Sequence, residues 1–296
     1  VQLGSEVISL RDTPRKADQM SIAQGFDELA RPYELPADAP YLLDAHGFIR
    51  LPAVLSKDLV RHYEPEITRK VIELNTMHLP LEERNTYSKA FLQVENLWRS
   101  SAAVQELVFA RRLAQIAAEL MGVDGVRLYA DQALYKEPGG GITPWHADQY
   151  YWPLDADRAI TAWIPLQDTP TELGPLEFAD GSHRFSYGRD LPIGDESERE
   201  LQAALGAQGF RTDSSSYQVG DISYHLGWVF HHAGPNLSQA PRRVMTIIYV
   251  DADIRVAEPV NDAQRRDLAV ITPGAVIGEP PDTPLNPELY RRSAQS

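Results

Sequence analysis

Hydrophobic residues change their spacing once along this chain, near Gly125. Upstream, Leu59, Tyr63, Ile67, Val71 and Leu74 recur at three- and four-residue intervals, the period of a helix with one buried face. Ser56 is placed to cap that helix, with Asp58 in its first turn. A second helix is predicted across 101–121, with Val104, Leu107, Val108, Ile116 and Leu120 on one face and Gly122 as its stop. Ahead of both, "YLLDAHGFIRLPAVLS" reads as a helix end, a turn at Gly47 and a strand. Residues 1 to about 40 are polar and proline-spotted, and are expected to be irregular or briefly helical.

Downstream of Gly125 the helical period disappears. "VRLYADQALYK", "AITAWIPLQD", "PLEFADGSH", "GDISYHLGWVFHH" and "RRVMTIIYVDA" are short runs rich in β-branched and aromatic residues, separated by Gly, Pro and Asp. This texture predicts an all-β sandwich or barrel. The polar segment 186–217 is expected to be an insertion between strands with a solvated face. The proline-rich tail, about 257–296, is expected to wrap the surface. The chain therefore reads as one domain over 1–296: helices to about residue 124, a β core over about 125–256, then the tail.

Composition narrows the function. At 43% hydrophobic the chain can bury a sizeable core, and its formal net charge of −14 argues against a general nucleic-acid or anionic-membrane binder. With no cysteine, disulfides, thiolate catalysis and thiolate metal sites are excluded. That fits a reducing compartment, and a cytoplasmic location is expected. No apolar run approaches the ~20 residues of a membrane helix. The opening "VQLGSEVISLRDTPRK" lacks the basic-then-apolar order of a signal peptide.

Candidate chemistry sits in "GGGITPWHADQYYWP". Successive strand side chains alternate faces, so an extended Trp145–Gln149 projects His146 and Asp148 together. Pro144 favours this by biasing Thr143 away from helix. An imidazole and a carboxylate supply two ligands for a divalent metal. "WVFHHAGPN" offers a third, His231 or His232. Two histidines and one carboxylate form the facial triad of non-haem Fe(II) oxygenases, although zinc accepts the same ligands. A buried, hydrogen-bonded His–Asp pair is the bland alternative.

The ordered set "WHADQYYWP", "TAWIPLQD", "LEFADGSH", "GDISYHLGWVFHHAGPN" and "PRRVMTIIYV" resembles the phytanoyl-CoA dioxygenase family. The resemblance runs from "DAHGFIRLPAVLS" to "PGAVIGEPPDTPLNP". It implies a mainly β fold with flanking helices, built on a double-stranded β-helix, the jelly-roll core of the cupins. It also implies an Fe(II)- and 2-oxoglutarate-dependent oxygenase that uses O2, releases succinate and CO2, and hydroxylates or otherwise oxidises a small-molecule metabolite.

By position, the resemblance makes His146, Asp148 and His231 the iron ligands, His231 being the histidine before the small-small-Gly-x-Asn turn. His232 stands where the family usually has a small residue. The cosubstrate arginine falls at Arg242 rather than Arg243, and a guanidinium grips a carboxylate through two parallel hydrogen bonds. Gln132 and Lys136 fall where relatives contact cosubstrate or substrate, and Trp163 where the family lines the 2-oxoglutarate pocket. Tyr150, Tyr151 and Trp152 are candidates to face the substrate. Asn236 is expected to shape its turn, and His183 and His225 to be structural or to support the ligands. His46, His62 and His78 are expected at the surface or in packing. Halogenating relatives replace the carboxylate with a small residue, so Asp148 implies hydroxylation or related oxidation rather than halogenation. The alternative is a cupin-like metal-dependent isomerase or hydrolase that does not use 2-oxoglutarate; it has no need of Arg242 at that offset. A non-catalytic binding protein on the same fold is a third reading.

Overall fold

The computed structural model describes residues 27–293, so most of the polar N-terminal stretch lies outside the described residues. Helix α1 (Ala39–His46) ends at Gly47 in the left-handed conformation and leads into strand β1 (Phe48–Leu51). Helix α2 (Lys57–Leu74) starts at Ser56, whose hydroxyl accepts the Leu59 amide at 3.2 Å. Leu59, Tyr63, Ile67 and Val71 are buried as the helical period predicts, but Leu74, at the last turn, is 39% exposed. Strand β2 (Leu92–Glu95) follows a short helix α3 (Thr86–Ala90). The predicted second helix is two helices, α4 (Ala102–Val108) and α5 (Arg111–Met121), broken at Phe109 and Ala110. No glycine or proline marks that break, and both pieces bury the residues expected of one helix.

The β core comprises β3 (Gly125–Tyr135), β4 (Thr143–His146), β5 (Ala159–Pro165), β6 (Leu176–Ala179), β7 (Thr212–Asp213), β8 (Ile222–Leu226), β9 (His231–Ala233) and β10 (Val244–Asp251). The larger sheet runs β1-β8-β5-β10-β3-β11, where β11 is Glu288–Arg291, with β2 also pairing to β3. The smaller sheet runs β4-β9-β6-β7. All pairings are antiparallel, and both sheets contribute to one cavity. This is the expected jelly-roll architecture.

Strand alternation assigns the two faces of the large sheet. On β5, Ile160, Ala162 and Ile164 join the core under α2, α4 and α5, while Thr161 and Trp163 face the cavity. On β10, Met245, Ile247 and Tyr249 point to the helices, and Thr246 and Ile248 to the cavity. The helical first part of the chain therefore plugs one face of the sheet and leaves the other for the site.

Two segments differ from expectation. The 186–217 insertion contains helix α6 (Asp195–Gln208), whose Leu201 and Leu205 pack on Trp145, Ala147 and Phe230. Its Glu198 accepts the Trp145 amide at 2.8 Å, so this acid is not part of a solvated face. The tail does not merely wrap: it supplies helix α7 (Asp262–Val270) and strand β11 of the large sheet. No helix among the described residues is long and apolar enough to cross a membrane.

Candidate metal centre and cosubstrate pocket

Strands β4 and β9 pair with His146 directly opposite His231, which places the two imidazoles side by side, ring centroids 4.2 Å apart. Asp148 reaches the same point differently from the fully extended expectation. The backbone is extended only through Ala147, and Asp148 opens a 3-10 turn over Asp148–Tyr151. One extended residue between them suffices to keep His146 and Asp148 on one side. Ala147 points away, into the Trp145 and Phe230 cluster.

The donor atoms converge. Asp148 Oδ1 lies 3.6 Å from His146 Nε2 and 3.6 Å from His231 Nε2, and all three ligand atoms fall within 4.8 Å of one another. Each histidine's Nδ1 faces a backbone carbonyl, Pro144 at 2.8 Å and Val229 at 3.0 Å. With Nδ1–H donating there, each Nε2 keeps its lone pair for a metal. Burial, with His146 adding to it, holds the His231 pKa well below the ordinary histidine value, so the ring stays neutral and ligand-competent. Burial opposes the Asp148 charge, but His231, His146 and His225 around it hold the carboxyl well below the usual carboxylate range.

The second carboxylate oxygen is also fixed. Asp148 Oδ2 accepts from Thr161 Oγ1 at 3.1 Å and lies 3.3 Å from His225 Nε2. His225 and Thr161 thus both hold Asp148, and Thr161 is a partner that sequence reasoning missed. His232 projects to the opposite face of β9, stacked on Trp145 at 3.9 Å between centroids and 3.4 Å from Glu177 Oε2. Of the two adjacent histidines, His231 alone joins the cluster.

Arg242 is buried in the wall of the same cavity, with its guanidinium carbon 5.7 Å from the Trp163 ring centroid. One amino group donates to the Gly174 carbonyl at 2.6 Å, while the Nε atom is buried without a partner. Burial lowers its pKa only to about 10, so it carries its charge at neutral pH. A buried, unpaired guanidinium calls for an anion, and a dicarboxylate supplies one. Arg243 faces the other way and bonds Gln167 and Glu64. Gln132, Trp163 and Thr246 complete that end of the cavity.

Lys136 is not part of the cavity wall. It is fully buried, and its Nζ donates to the Gly141 carbonyl at 2.6 Å and the Gly234 carbonyl at 2.8 Å. It ties the glycine loop to the turn after β9, and burial with the nearby Arg242 lowers its pKa to about 6. Asn236 shapes the adjoining turns, its side-chain amide donating to the Lys136, Glu137 and Ala240 carbonyls. Tyr151 and Trp152 line the cavity, but Tyr150 does not: its ring packs edge-on against Tyr151 and its carbonyl accepts from Gln264 of α7. His183 bonds the Asp44 carbonyl, His46 pairs with Asp180, His62 packs on Tyr63 and His78 is exposed.

Gly174 carries a prediction. It holds φ +65°, and a β-carbon there would lie 2.3 Å from the Gly234 carbonyl oxygen. Gly174→Ala is expected to lose about 2 kcal/mol or more of stability in chemical denaturation. It is also expected to weaken the Arg242 anchor, because the Gly174 carbonyl holds that guanidinium.

The family model described as phytanoyl-CoA dioxygenase (PhyH) matches residues 43–244, which span both strands of the triad and reach past Arg242. The chain belongs to the phytanoyl-CoA dioxygenase family. It is an Fe(II)- and 2-oxoglutarate-dependent dioxygenase, with O2 as oxidant. Among relatives, a probable alpha-ketoglutarate-dependent hypophosphite dioxygenase of Stutzerimonas stutzeri is 25% identical over 170 residues, covering 56% of this chain and 59% of that protein. The 1-deoxypentalenic acid 11-beta-hydroxylase of Streptomyces exfoliatus is 26% identical over 218 residues, covering 67% of this chain and 74% of that one. The solved epimerase SnoN from nogalamycin biosynthesis, in complex with Fe3+, alpha-ketoglutarate and nogalamycin RO, shares the fold. It superposes with a TM-score of 0.71 at 24% identity, over 85% of this chain and 97% of that chain.

Proposed function

We propose that this phytanoyl-CoA dioxygenase family member hydroxylates, or otherwise oxidises, a small-molecule metabolite of the natural-product-intermediate kind, bound in the cavity of about 360 Å3 beside the triad. The single observation that carries the reading is the convergence, in one cavity, of three metal-ligand atoms and an unpaired buried arginine. Relatives named for 1-deoxypentalenic acid and for ectoine, and solved enzymes named for nogalamycin biosynthesis, support the substrate class. In this reading His146, Asp148 and His231 hold Fe(II), and Arg242 holds the distal carboxylate of 2-oxoglutarate against the Trp163 wall.

When bound, the iron and 2-oxoglutarate supply the oxidising power for C–H cleavage. The protein's own part is placement. Thr161 and His225 keep Asp148 oriented, the backbone carbonyls of Pro144 and Val229 keep both imidazoles presenting Nε2, and the aromatic wall of Tyr151 and Trp152 excludes water while aligning the substrate. The acidic chain favours neither nucleic acid nor anionic membranes as partners, and a cytoplasmic location fits the absence of cysteine.

The test is a succinate-release screen over candidate metabolites, run under 18O2. The expected hit forms succinate in step with product, and a hydroxylated product carries one labelled oxygen and no chlorine when chloride is present. A substrate converted without 2-oxoglutarate consumption would instead establish the isomerase or hydrolase reading.

A further inference from the structure

The end of the cavity that holds Arg242 has a second layer behind it. Lys136 and Arg242 form a backbone pair, each amide donating to the other's carbonyl at 2.9 Å. Their side chains end on neighbouring carbonyls, Arg242 on Gly174 and Lys136 on Gly234, and a β-carbon on Gly174 would lie 2.3 Å from the Gly234 oxygen. The glycine loop roofs the lysine, where a β-carbon on Gly140 would lie 2.8 Å from its Cγ. Thr143 connects this buried lysine to the cavity. It is 4% exposed, lines the cavity, and places its Oγ1 3.4 Å from Lys136 Nζ. Among the described residues that hydroxyl has no other partner.

The count of donors and acceptors around Nζ allows two arrangements. Three acceptors surround it: the Gly141 carbonyl, the Gly234 carbonyl and Thr143 Oγ1. A protonated amine has three N–H groups and satisfies all three. Thr143 then accepts, and its own hydrogen is left for a partner in the cavity. A neutral amine has two N–H groups, which the carbonyls take, and a lone pair that accepts from the Thr143 hydroxyl. In that arrangement the hydroxyl turns its hydrogen away from the cavity.

The charge beside Arg242 decides between them. Among the described residues Arg242 is the charged side chain acting on Lys136, and Glu137, next in the chain, is committed to Arg84. The glycine loop and the turn after β9 present carbonyls to Nζ, and Asn236 binds the Lys136 backbone. Burial first and Arg242 second lower the Lys136 pKa to about 6, which favours the neutral amine at neutral pH. A carboxylate on Arg242 offsets the field of the guanidinium and attracts the proton itself, so it pushes the lysine back up. It also supplies the acceptor that the Thr143 hydrogen lacks. Both effects select the protonated arrangement.

We propose that Thr143 and Lys136 complete the carboxylate site of Arg242: Thr143 donates its hydroxyl to the distal carboxylate of 2-oxoglutarate, and Lys136 takes up a proton from solvent as that carboxylate binds. Thr143 touches the cosubstrate. Lys136 is a positioning residue that acts through Thr143. The inference rests on the reading of Arg242 as the anchor of the same carboxylate.

The experiment is calorimetric titration of the anaerobic, Fe(II)-loaded full chain with 2-oxoglutarate, in buffers of different ionisation enthalpy. Near neutral pH a net uptake of roughly half a proton or more is expected. By linkage, affinity is greatest at low pH and falls as pH rises above about 6. Thr143→Val is expected to weaken binding roughly tenfold or more, the scale of a hydrogen bond to a charged group, and Thr143→Ser to restore most of it. Lys136→Met is expected to abolish the uptake. Two other groups near the cavity are pushed up to about 7: Asp267, which Arg266 of α7 links to Glu95 of β2 at the outer wall, and the buried Asp131 of β3. Lys136→Met leaves both in place, so uptake that persists there is theirs and overturns the assignment. No uptake in the wild type, or a Thr143→Val affinity within about twofold of it, does the same. The wild-type pH profile and Thr143→Val carry the test where Lys136→Met does not fold. Wild-type protein that binds no 2-oxoglutarate, or Arg242→Ala that binds it equally well, overturns the Arg242 reading instead. Binding that needs Arg242 but takes up no proton overturns this inference alone.

Discussion

Replacing His231 with alanine is expected to cost more Fe(II) affinity than the roughly 10–100-fold lost with an outer-shell partner. His232→Ala is expected to leave Fe(II) affinity unchanged. The two residues are neighbours in sequence, yet β9 sends them to opposite faces, one to within 3.6 Å of Asp148 and the other onto Trp145. Losing the His232 stack should cost about 1 kcal/mol of stability, since an aromatic contact of this kind is worth roughly that much. Equilibrium metal titration of both variants, beside thermal unfolding, reads both numbers. Iron binding lost in His232→Ala and kept in His231→Ala would show that the wrong histidine had been assigned.

Arg242→Ala is expected to raise the KM for 2-oxoglutarate by on the order of a hundredfold, the scale of losing one partner of a buried charge pair at about 2–5 kcal/mol. The effect is large because the guanidinium is buried, its Nε has no internal partner, and no side chain among the described residues supplies it an ion pair. Arg242→Lys should recover only part of the loss, because an ammonium cannot make the paired hydrogen bonds of the planar fork. Arg243→Ala serves as the control. That residue pairs with the largely buried Glu64 on the far face, away from the cavity, so its loss is expected to lower stability and leave the KM unchanged. An unchanged KM in Arg242→Ala, or a raised one in Arg243→Ala, removes Arg242 from the cosubstrate site.

The parts of this site that were legible in the sequence are those governed by short-range periodicity. His146 and Asp148 are two residues apart, and Arg242 lies eleven past His231, so strand alternation and family register place them without knowledge of the fold. The same local rules found the strands of the core, the Ser56 cap and the Gly122 stop. What escaped depends on contacts between distant segments. Glu95 and Arg266 are 171 residues apart, and an arginine in a polar helix carries no local mark that it faces a cavity. The tail's proline content suggested a surface strap, yet Asn261 caps α7 and Gln264 docks it on the Tyr150 carbonyl. Lys136 shows the opposite failure. Its position in the chain suggested a ligand contact, but two backbone carbonyls claim its Nζ first. Thr161 was invisible because a threonine in a buried strand reads as packing until the carboxylate opposite it is known.

The central claim is that His146, Asp148, His231 and Arg242 together hold Fe(II) and 2-oxoglutarate. Anaerobic addition of 2-oxoglutarate to the Fe(II)-loaded protein tests it most directly, followed by the weak visible charge-transfer absorption of the chelate. The expected result is a saturable band that is lost in Asp148→Ala and, at the same 2-oxoglutarate concentration, strongly diminished in Arg242→Ala. A wild-type protein that binds Fe(II) yet develops no band, or a band of equal affinity in Arg242→Ala, contradicts the account.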